Sequence, residues 1–226
     1  MRKTLIFYWY IHKTGWHWTF DIHLKHLSEL QGIFDKKRFV LSIDKDTPIE
    51  HINETINKLK ETCPDMTYEF FMNDAISRES SFFFEEIVLK LPKFGDDEAI
   101  FFAHNKGVQT TYISKERCVN WINDLYVDNL ANVDEINGWL NDENVCCIGT
   151  HIHDDMVPPG MAKVAKYGWH YAGTFFWLVP KRIYKYVVDH EEGKILGNTG
   201  RYYAEGFLAT ILPYDNIHVK GYKKIE

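Results

Sequence analysis

The chain has 226 residues, 45% of them hydrophobic and 15% aromatic, and a formal net charge of -6. That length and apolar content can build a sizeable core without disulfides. The acidic balance gives no reason to expect a nucleic-acid partner.

The apolar run 5–11 reads as a first buried strand. It is too short to span a bilayer, and His, Lys and Trp residues follow it rather than a small-residue cleavage site, so a cytoplasmic chain is expected. From Thr19 to about Leu30 the spacing of Phe20, Leu24 and Leu27 predicts a helix. A second strand is expected at 39–43. Thr47-Pro48-Ile49-Glu50 then carries a helix-start pattern, with Thr47 as cap, Pro48 in the first turn and Glu50 completing a capping box. Ile52, Ile56, Leu59 and Cys63 continue it at helical spacing.

A third strand is expected at 68–72, followed by a polar stretch over 73–81. Phe83, Ile87 and Leu91 then share one helical face, and 98–103 reads as a fourth strand. This alternation predicts an α/β fold with a central, mostly parallel sheet flanked by helices. Ligands of such sheets bind beyond the carboxyl ends of the strands. Those ends fall at 10–13, 44–46, 73–78 and 104–107.

The second half is less regular. A helix is expected over 114–130, with Cys118, Trp121, Leu125 and Ile122 as inward candidates, and a strand over 145–149. A long polar segment runs to Gly173. In the strand expected at 175–179, alternation puts Phe176 on one face and Phe175 and Trp177 on the other. Pro180 opens a helix through Ile183 and Val187. Tyr203, Phe207 and Ile211 align on a helix over 199–212, and a polar, basic tail follows Pro213. No linker divides the chain, so 1–226 is expected to be a single domain. The four cysteines read as buried thiols of a reducing compartment, because adjacent Cys146 and Cys147 cannot form a metal knuckle.

Four segments could carry chemistry. His104-Asn105-Lys106-Gly107 places an imidazole, an amide and a cation at a strand end. Residues 169–177 (WHYAGTFFW) bring Trp169, His170 and Thr174 together, a composition suited to a sugar-binding wall or to core packing. Glu205 sits in an aromatic helix as a candidate base or as an ion-pair partner of Arg201. His151, His153, Asp154 and Asp155 form the best local metal-ligand cluster and carry a metal-hydrolase alternative. No P-loop, dinucleotide fingerprint, HExxH or nucleophile elbow occurs.

The segments NDAISRESSFFF (73–84), DDEAIFFAHNKG (96–107), WHYAGTFFW (169–177) and RYYAEGFLATILP (201–213) occur in this order. With them the chain resembles bacterial and viral polysaccharide-biosynthesis glycosyltransferases related to the rhamnan-synthesis type, which have a GT-A-like nucleotide-sugar domain. The resemblance implies a sugar transferase of the EC 2.4 class. It would move a sugar from a nucleotide-sugar donor to a hydroxyl of a glycan or glycoconjugate acceptor, including membrane-linked glycan intermediates. It implies a nucleotide-binding half over about 1–107 and an acceptor-side half over about 108–226. Tyr8, Tyr10, Arg78, His104, Lys106 and Lys224 would surround the donor, and Trp169, His170 and Thr174 the acceptor. Glu205 would be the base, and Lys106 would balance the leaving diphosphate.

The usual Asp-x-Asp motif is replaced here by His104-Asn105-Lys106, which leaves a Mn²⁺ or Mg²⁺ requirement open. Either Lys106 replaces cation charge, or His104 is an unusual ligand. The tail fits H-x-x-G-x-x-K, making His218 a second candidate metal ligand and Lys224 a phosphate contact. The alternative is a non-catalytic carbohydrate- or nucleotide-binding module built on the same aromatic wall.

Overall fold

The structure, a computed structural model, describes residues 1–13, 17–30, 32–73, 76, 78–105, 114–153, 167, 169–171, 173–189 and 203–219. In chain order the elements are β1 (Arg2–Ile11), α1 (His17–Glu29), β2 (Lys36–Ile43), α2 (Ile49–Thr62), β3 (Thr67–Met72), α3 (Glu79–Glu86), a 3₁₀ turn (Val88–Lys93) and β4 (Glu98–His104). The second half holds α4 (Lys115–Leu130), α5 (Val133–Asn141), β5 (Cys147–Gly149), β6 (Ile152–His153), β7 (His170–Tyr171), β8 (Phe176–Leu178), α6 (Pro180–Asp189), α7 (Tyr203–Ile211) and β9 (Ile217–Val219).

Seven strands form one sheet in the order β3-β2-β1-β4-β8-β5-β9. The β1–β2, β1–β4, β2–β3 and β5–β9 pairs are parallel, whereas β8 is antiparallel to both β4 and β5. The two halves of the chain therefore share this sheet, with β8 inserted between β4 and β5. The short strands β6 and β7 pair separately, antiparallel.

Strict alternation along the strands explains why both faces are covered. Leu5, Phe7, Trp9 and Ile11 of β1 face one way, together with Phe101, Phe175 and Trp177. Ile6 and Tyr8 face the other way, with Phe102, Phe176 and Leu178. Residues of α1, α2, α4 and α5 cover the first face, among them Phe20, Leu59, Ile122 and Ile136. Residues of α3, α6 and α7 cover the second, among them Phe83, Ile183 and Phe207. Each such buried aromatic or aliphatic side chain contributes about 1.5–3 kcal/mol.

The winding decides where a ligand can enter. From β1 the chain moves outward through β2 to β3 with α1 and α2 on one face. It then returns across β1 to β4, and α3 lies on the opposite face. Right-handed crossovers require that change of face when the direction reverses. The order therefore switches between β1 and β4, and sheets of this kind bind their ligands beyond the carboxyl ends of the strands at such a point.

The structure revises several local expectations. Thr47 does not cap α2: Pro48 stands at the cap position with no side-chain cap bond, and Thr47 Oγ1 instead accepts the Asp44 N–H at 2.8 Å, closing the turn after β2. The face formed by Phe83, Ile87 and Leu91 is fully buried, yet it is not one helix. The α-helix stops at Glu86 and continues as the 3₁₀ turn, whose interior contains Pro92. A proline removes a backbone donor and disfavours the α conformation of the residue before it. Asn132 caps the unforeseen helix α5, accepting the Glu135 N–H. The segment after Pro213 is not simply a basic tail, because β9 pairs in register with β5, Ile217 opposite Cys147. All four cysteines are free and buried.

Candidate functional site

At the switch point β4 parts from β1, and the Asn105 side chain fills the gap. Its Oδ1 accepts the Tyr10 N–H and its Nδ2 donates to the Tyr10 carbonyl, both at 2.8 Å. The amide thus acts as a further rung of the ladder and pairs both backbone groups of Tyr10.

Around it, polar groups from three strand ends form a chain. The Tyr8 hydroxyl lies 2.6 Å from Ser42 Oγ and donates to Asn73 Oδ1 at 3.4 Å. Asn73 Nδ2 donates to Asp44 Oδ1, and the Tyr10 hydroxyl donates to Asp44 Oδ2 at 2.5 Å. Asp44 therefore gathers the ends of β1 and of the β3–α3 connection onto the end of β2. Burial pushes the Tyr8 phenol well above its ordinary value of 10.0; the Ser42 hydrogen bond opposes this, and the charges of Glu79, Tyr10 and Asp44 add to it. Burial also raises Tyr10, reinforced by Asp44, while the Arg78 charge acts in the opposite sense. Tyr8, Tyr10 and Arg78 thus share one electrostatic neighbourhood, with Tyr8 largely enclosed and Tyr10 half-buried.

Arg78 precedes α3 with φ of 51°, and Glu79 is the first residue of that helix. Glu79 Oε1 lies 3.4 Å from Nδ1 of His104, the last residue of β4, and both side chains are mostly buried. The His104 ring meets Phe175 edge-on. The next residue of α3, Ser80, is fully buried and accepts the Ala204 N–H at 3.1 Å, tying the N-termini of α3 and α7 together.

Glu205, in the first turn of α7, accepts the Gly173 N–H through Oε1 at 3.1 Å. Gly173 has φ of 98° and Thr174 has φ of 52°. Glycine takes this conformation without strain, but a β-branched residue does so at a cost of about 1–3 kcal/mol. Thr174 is fully buried, and its Oγ1 has no hydrogen-bond partner among the described residues. Arg78, His151 and Thr174 are the non-glycine residues with positive φ among the described residues. All three lie at the carboxyl-end rim. Phe176 pairs with both Phe102 and Gly149, so His104, Thr174 and His151 occupy equivalent positions two residues beyond those rungs. Such strain clusters at functional sites.

The other expected site residues are distributed differently. Trp169 is buried in the core, its Nε1 donating to the Leu212 carbonyl at 3.1 Å and its ring packed on Tyr171. It is a packing residue in this geometry rather than an open aromatic wall. His170 is also buried and lies on β7 opposite His153. His151 Nε2 lies 3.8 Å from Asp128 Oδ2, to which Thr150 Oγ1 donates. His218 is on β9, its backbone opposite Ile148. Lys106, Gly107, Asp154, Asp155, Arg201 and Lys224 lie outside the described residues, as do the side chains of His153 and His218. Among the described residues no group of three His, Cys, Asp or Glu side chains could hold a metal ion. Nor is any described helix long and apolar enough to cross a membrane.

Asp44, Asn73 and Ser42 were not singled out as site residues in the sequence. Asp44 and Asn73 nevertheless fall in the strand-end segments that the parallel-sheet rule marks, and their polar type there is the signal that finds them. Ser42 carries no such signal, because one serine in an apolar strand is unremarkable until Tyr8 is placed beside it. No protein-family model matches the chain, and a search of curated proteins finds no match.

Proposed function

We propose that this chain is a nucleotide-sugar-dependent glycosyltransferase with a GT-A-like donor half, acting on a hydroxyl of a glycan or glycoconjugate. One observation carries the reading: the four segments on which the resemblance rests are joined by direct contacts at one rim of the sheet. Glu79 of the first segment meets His104 of the second at 3.4 Å. Ser80 of the first holds Ala204 of the fourth, and Glu205 of the fourth holds Gly173 of the third. Residues 25 to 124 positions apart could have packed in unrelated places.

In this reading the donor nucleotide lies over the ends of β1 to β4, near Tyr10, Arg78 and His104. Glu205 takes the proton of the acceptor hydroxyl as it attacks the anomeric carbon, and Lys106 neutralises the charge that develops on the leaving diphosphate. A single displacement inverts the anomeric centre. The described residues offer a divalent cation the His104–Glu79 pair and no third ligand. Whether transfer needs Mn²⁺ is therefore read from the assay.

The test is a calorimetric and turnover screen of several nucleotide-sugars, each with and without Mn²⁺ and with a panel of hydroxyl acceptors. Transfer or donor hydrolysis that is lost in Lys106→Ala supports the reading. Binding without turnover marks the binding-module alternative. Absence of binding to every donor overturns the transferase reading, and absence of binding to the glycan acceptors as well overturns the module. Retention of the donor's anomeric configuration in the product rejects single displacement.

A further inference from the structure

The free edge of the sheet carries a second feature, independent of the rim. Among the described residues β3 ends the sheet on one side, paired only to β2. Its residues Tyr68, Phe70 and Met72 alternate with Glu69 and Phe71. They are opposite Phe39, Leu41 and Ile43 of β2 and therefore lie on the α2 face. Their exposures are 38%, 53% and 54%, and Ile49 at the start of α2 is 60% exposed. Phe71, pointing the other way, packs against the second core.

Strand edges of stable monomers are blunted by lysine, proline, bulges or very short length, because an open edge templates pairing. Across its six residues, TYEFFM, β3 has no lysine and no proline. Its one charge, Glu69, is neutralised by an ion pair with Arg38. The edge is uncharged, regular and apolar on one face.

We propose that β3 pairs antiparallel with β3 of a second copy of this chain, making one continuous sheet across a two-fold axis at Phe70. Self-complementarity selects this occupant and this register. Centred on Phe70, the pairing sets Phe70 against Phe70 and Tyr68 against Met72, so all three exposed apolar side chains find apolar partners. A register shifted to centre on Glu69 would oppose two carboxylates, and one centred on Phe71 would leave Tyr68 unmatched. Directly opposed like charges destabilise strand pairs, whereas aromatic pairs stabilise them.

The helices on this face complement each other as well. Glu50 is the acidic residue in the first turn of α2 and Lys60 the basic residue in its last. The Lys60 ammonium lies 5.3 Å from the centre of the Tyr68 ring. The first turn of α2 follows β2 and lies at the Met72 end of β3. Antiparallel pairing therefore carries Lys60 of each copy, with its Tyr68, toward Met72 and Glu50 of the other.

Analytical ultracentrifugation of the full chain over a concentration series reads the association directly. The expected result is a reversible monomer–dimer equilibrium. Phe70→Lys should shift the dissociation constant upward by at least tenfold, because two ammonium groups would meet at the axis. Its far-UV circular dichroism and thermal midpoint should stay near those of the wild type, since Phe70 is exposed. Brief oxidation of Phe70→Cys should give a disulfide-linked dimer, because the paired Cα atoms would be about 4.5–5.5 Å apart, within disulfide reach. Tyr68→Cys should not cross-link, its two copies being offset by about 13 Å along the strands. A monomer at every concentration overturns the proposal. So does a dimer that Phe70→Lys leaves unchanged, or one that cross-links through Tyr68→Cys and not Phe70→Cys.

Discussion

Asn105 grips the backbone of Tyr10 at two points, its amide donating to the carbonyl and accepting the N–H at equal distances of 2.8 Å. This pairing holds the switch point open. The last residues of β1 stay extended past the end of β4 at His104, with the Asn105 amide beside Tyr10 in place of a further strand residue. Asn105→Ala should remove both of these hydrogen bonds and cost about 1–3 kcal/mol in denaturant unfolding. Asn105→Asp should not restore the loss at neutral pH, because a carboxylate oxygen would then face the Tyr10 carbonyl. Wild-type stability in Asn105→Ala would show that water replaces the amide.

Glu205 has a structural bond and a proposed chemical role, and two substitutions separate them. Glu205→Gln keeps a side-chain oxygen for the Gly173 N–H but cannot take a proton. Its thermal midpoint should lie close to that of the wild type, with transfer reduced at least about a hundredfold. Glu205→Ala should lose transfer and also destabilise the strained Gly173–Thr174 turn. Full turnover in Glu205→Gln would remove Glu205 from proton transfer while leaving its hold on Gly173 intact.

Gly149 lies beneath the Tyr171 ring so closely that an added Cβ would be 2.7 Å from two ring carbons. The ring is fully buried and packs against Trp169 and Phe176, so it cannot yield. Gly149→Ala should cost about 1–3 kcal/mol or more through overpacking. Tyr171→Leu in the same chain should relieve part of that cost. A double-mutant cycle in chemical denaturation should therefore show less destabilisation than the two single changes summed.

Burial raises the phenols of Tyr8, Tyr10, Tyr126 and Tyr203, and pushes the Cys63 and Cys146 thiols from 9.0 up to about 11. Each group is held neutral more firmly in the folded chain than in the unfolded one. The stability they contribute is complete below their unfolded values, near pH 9 for the thiols and 10 for the phenols. It is lost as pH rises through the folded-state values. Denaturation midpoints should fall above pH 9 and more steeply above 10. Absorbance at 295 nm should show late-titrating tyrosines that ionise together with unfolding. A thiol reagent at pH 8 should react slowly with the native chain and with four thiols after denaturation.

The C-terminal segment needs a cut placed by the sheet. Deletion after Pro213 would remove β9 and with it the pairing to β5, so lost affinity there would report unfolding. Deletion after Val219 keeps the strand and removes Lys224. Donor affinity measured by calorimetry should then fall by about tenfold, roughly 1.4 kcal/mol. Unchanged affinity in that folded truncation would exclude Lys224 from the phosphate site.

Much of the first half was legible because its signals are local. The apolar runs of β1 and β4 and the helical spacing from Ile52 to Leu59 act within a few residues, and β1, β4 and α2 appear where those patterns place them. Local reading failed where two local partners compete. Thr47 can cap a helix or close a turn, and only the position of the Asp44 N–H after β2 decides between them. The aromatic segment 169–177 also reads two ways. Its alternation at Phe175, Phe176 and Trp177 is as expected, but whether Trp169 is open or enclosed depends on Leu212, the residue after α7, whose carbonyl takes its N–H more than forty residues along the chain.

The sequence by itself determined the alternation of strands and helices through β4, the two-sided burial of those strands and the strand ends where polar residues gather, because side-chain periodicity and backbone chemistry are short-range. Only the tertiary structure decided that β8 runs antiparallel between β4 and β5, and that β9 closes the sheet. It also decided that Glu79 meets His104, Ser80 meets Ala204 and Glu205 meets Gly173. Those contacts join residues distant along the chain. They form only when the strand order brings the ends together, and no local pattern encodes that order.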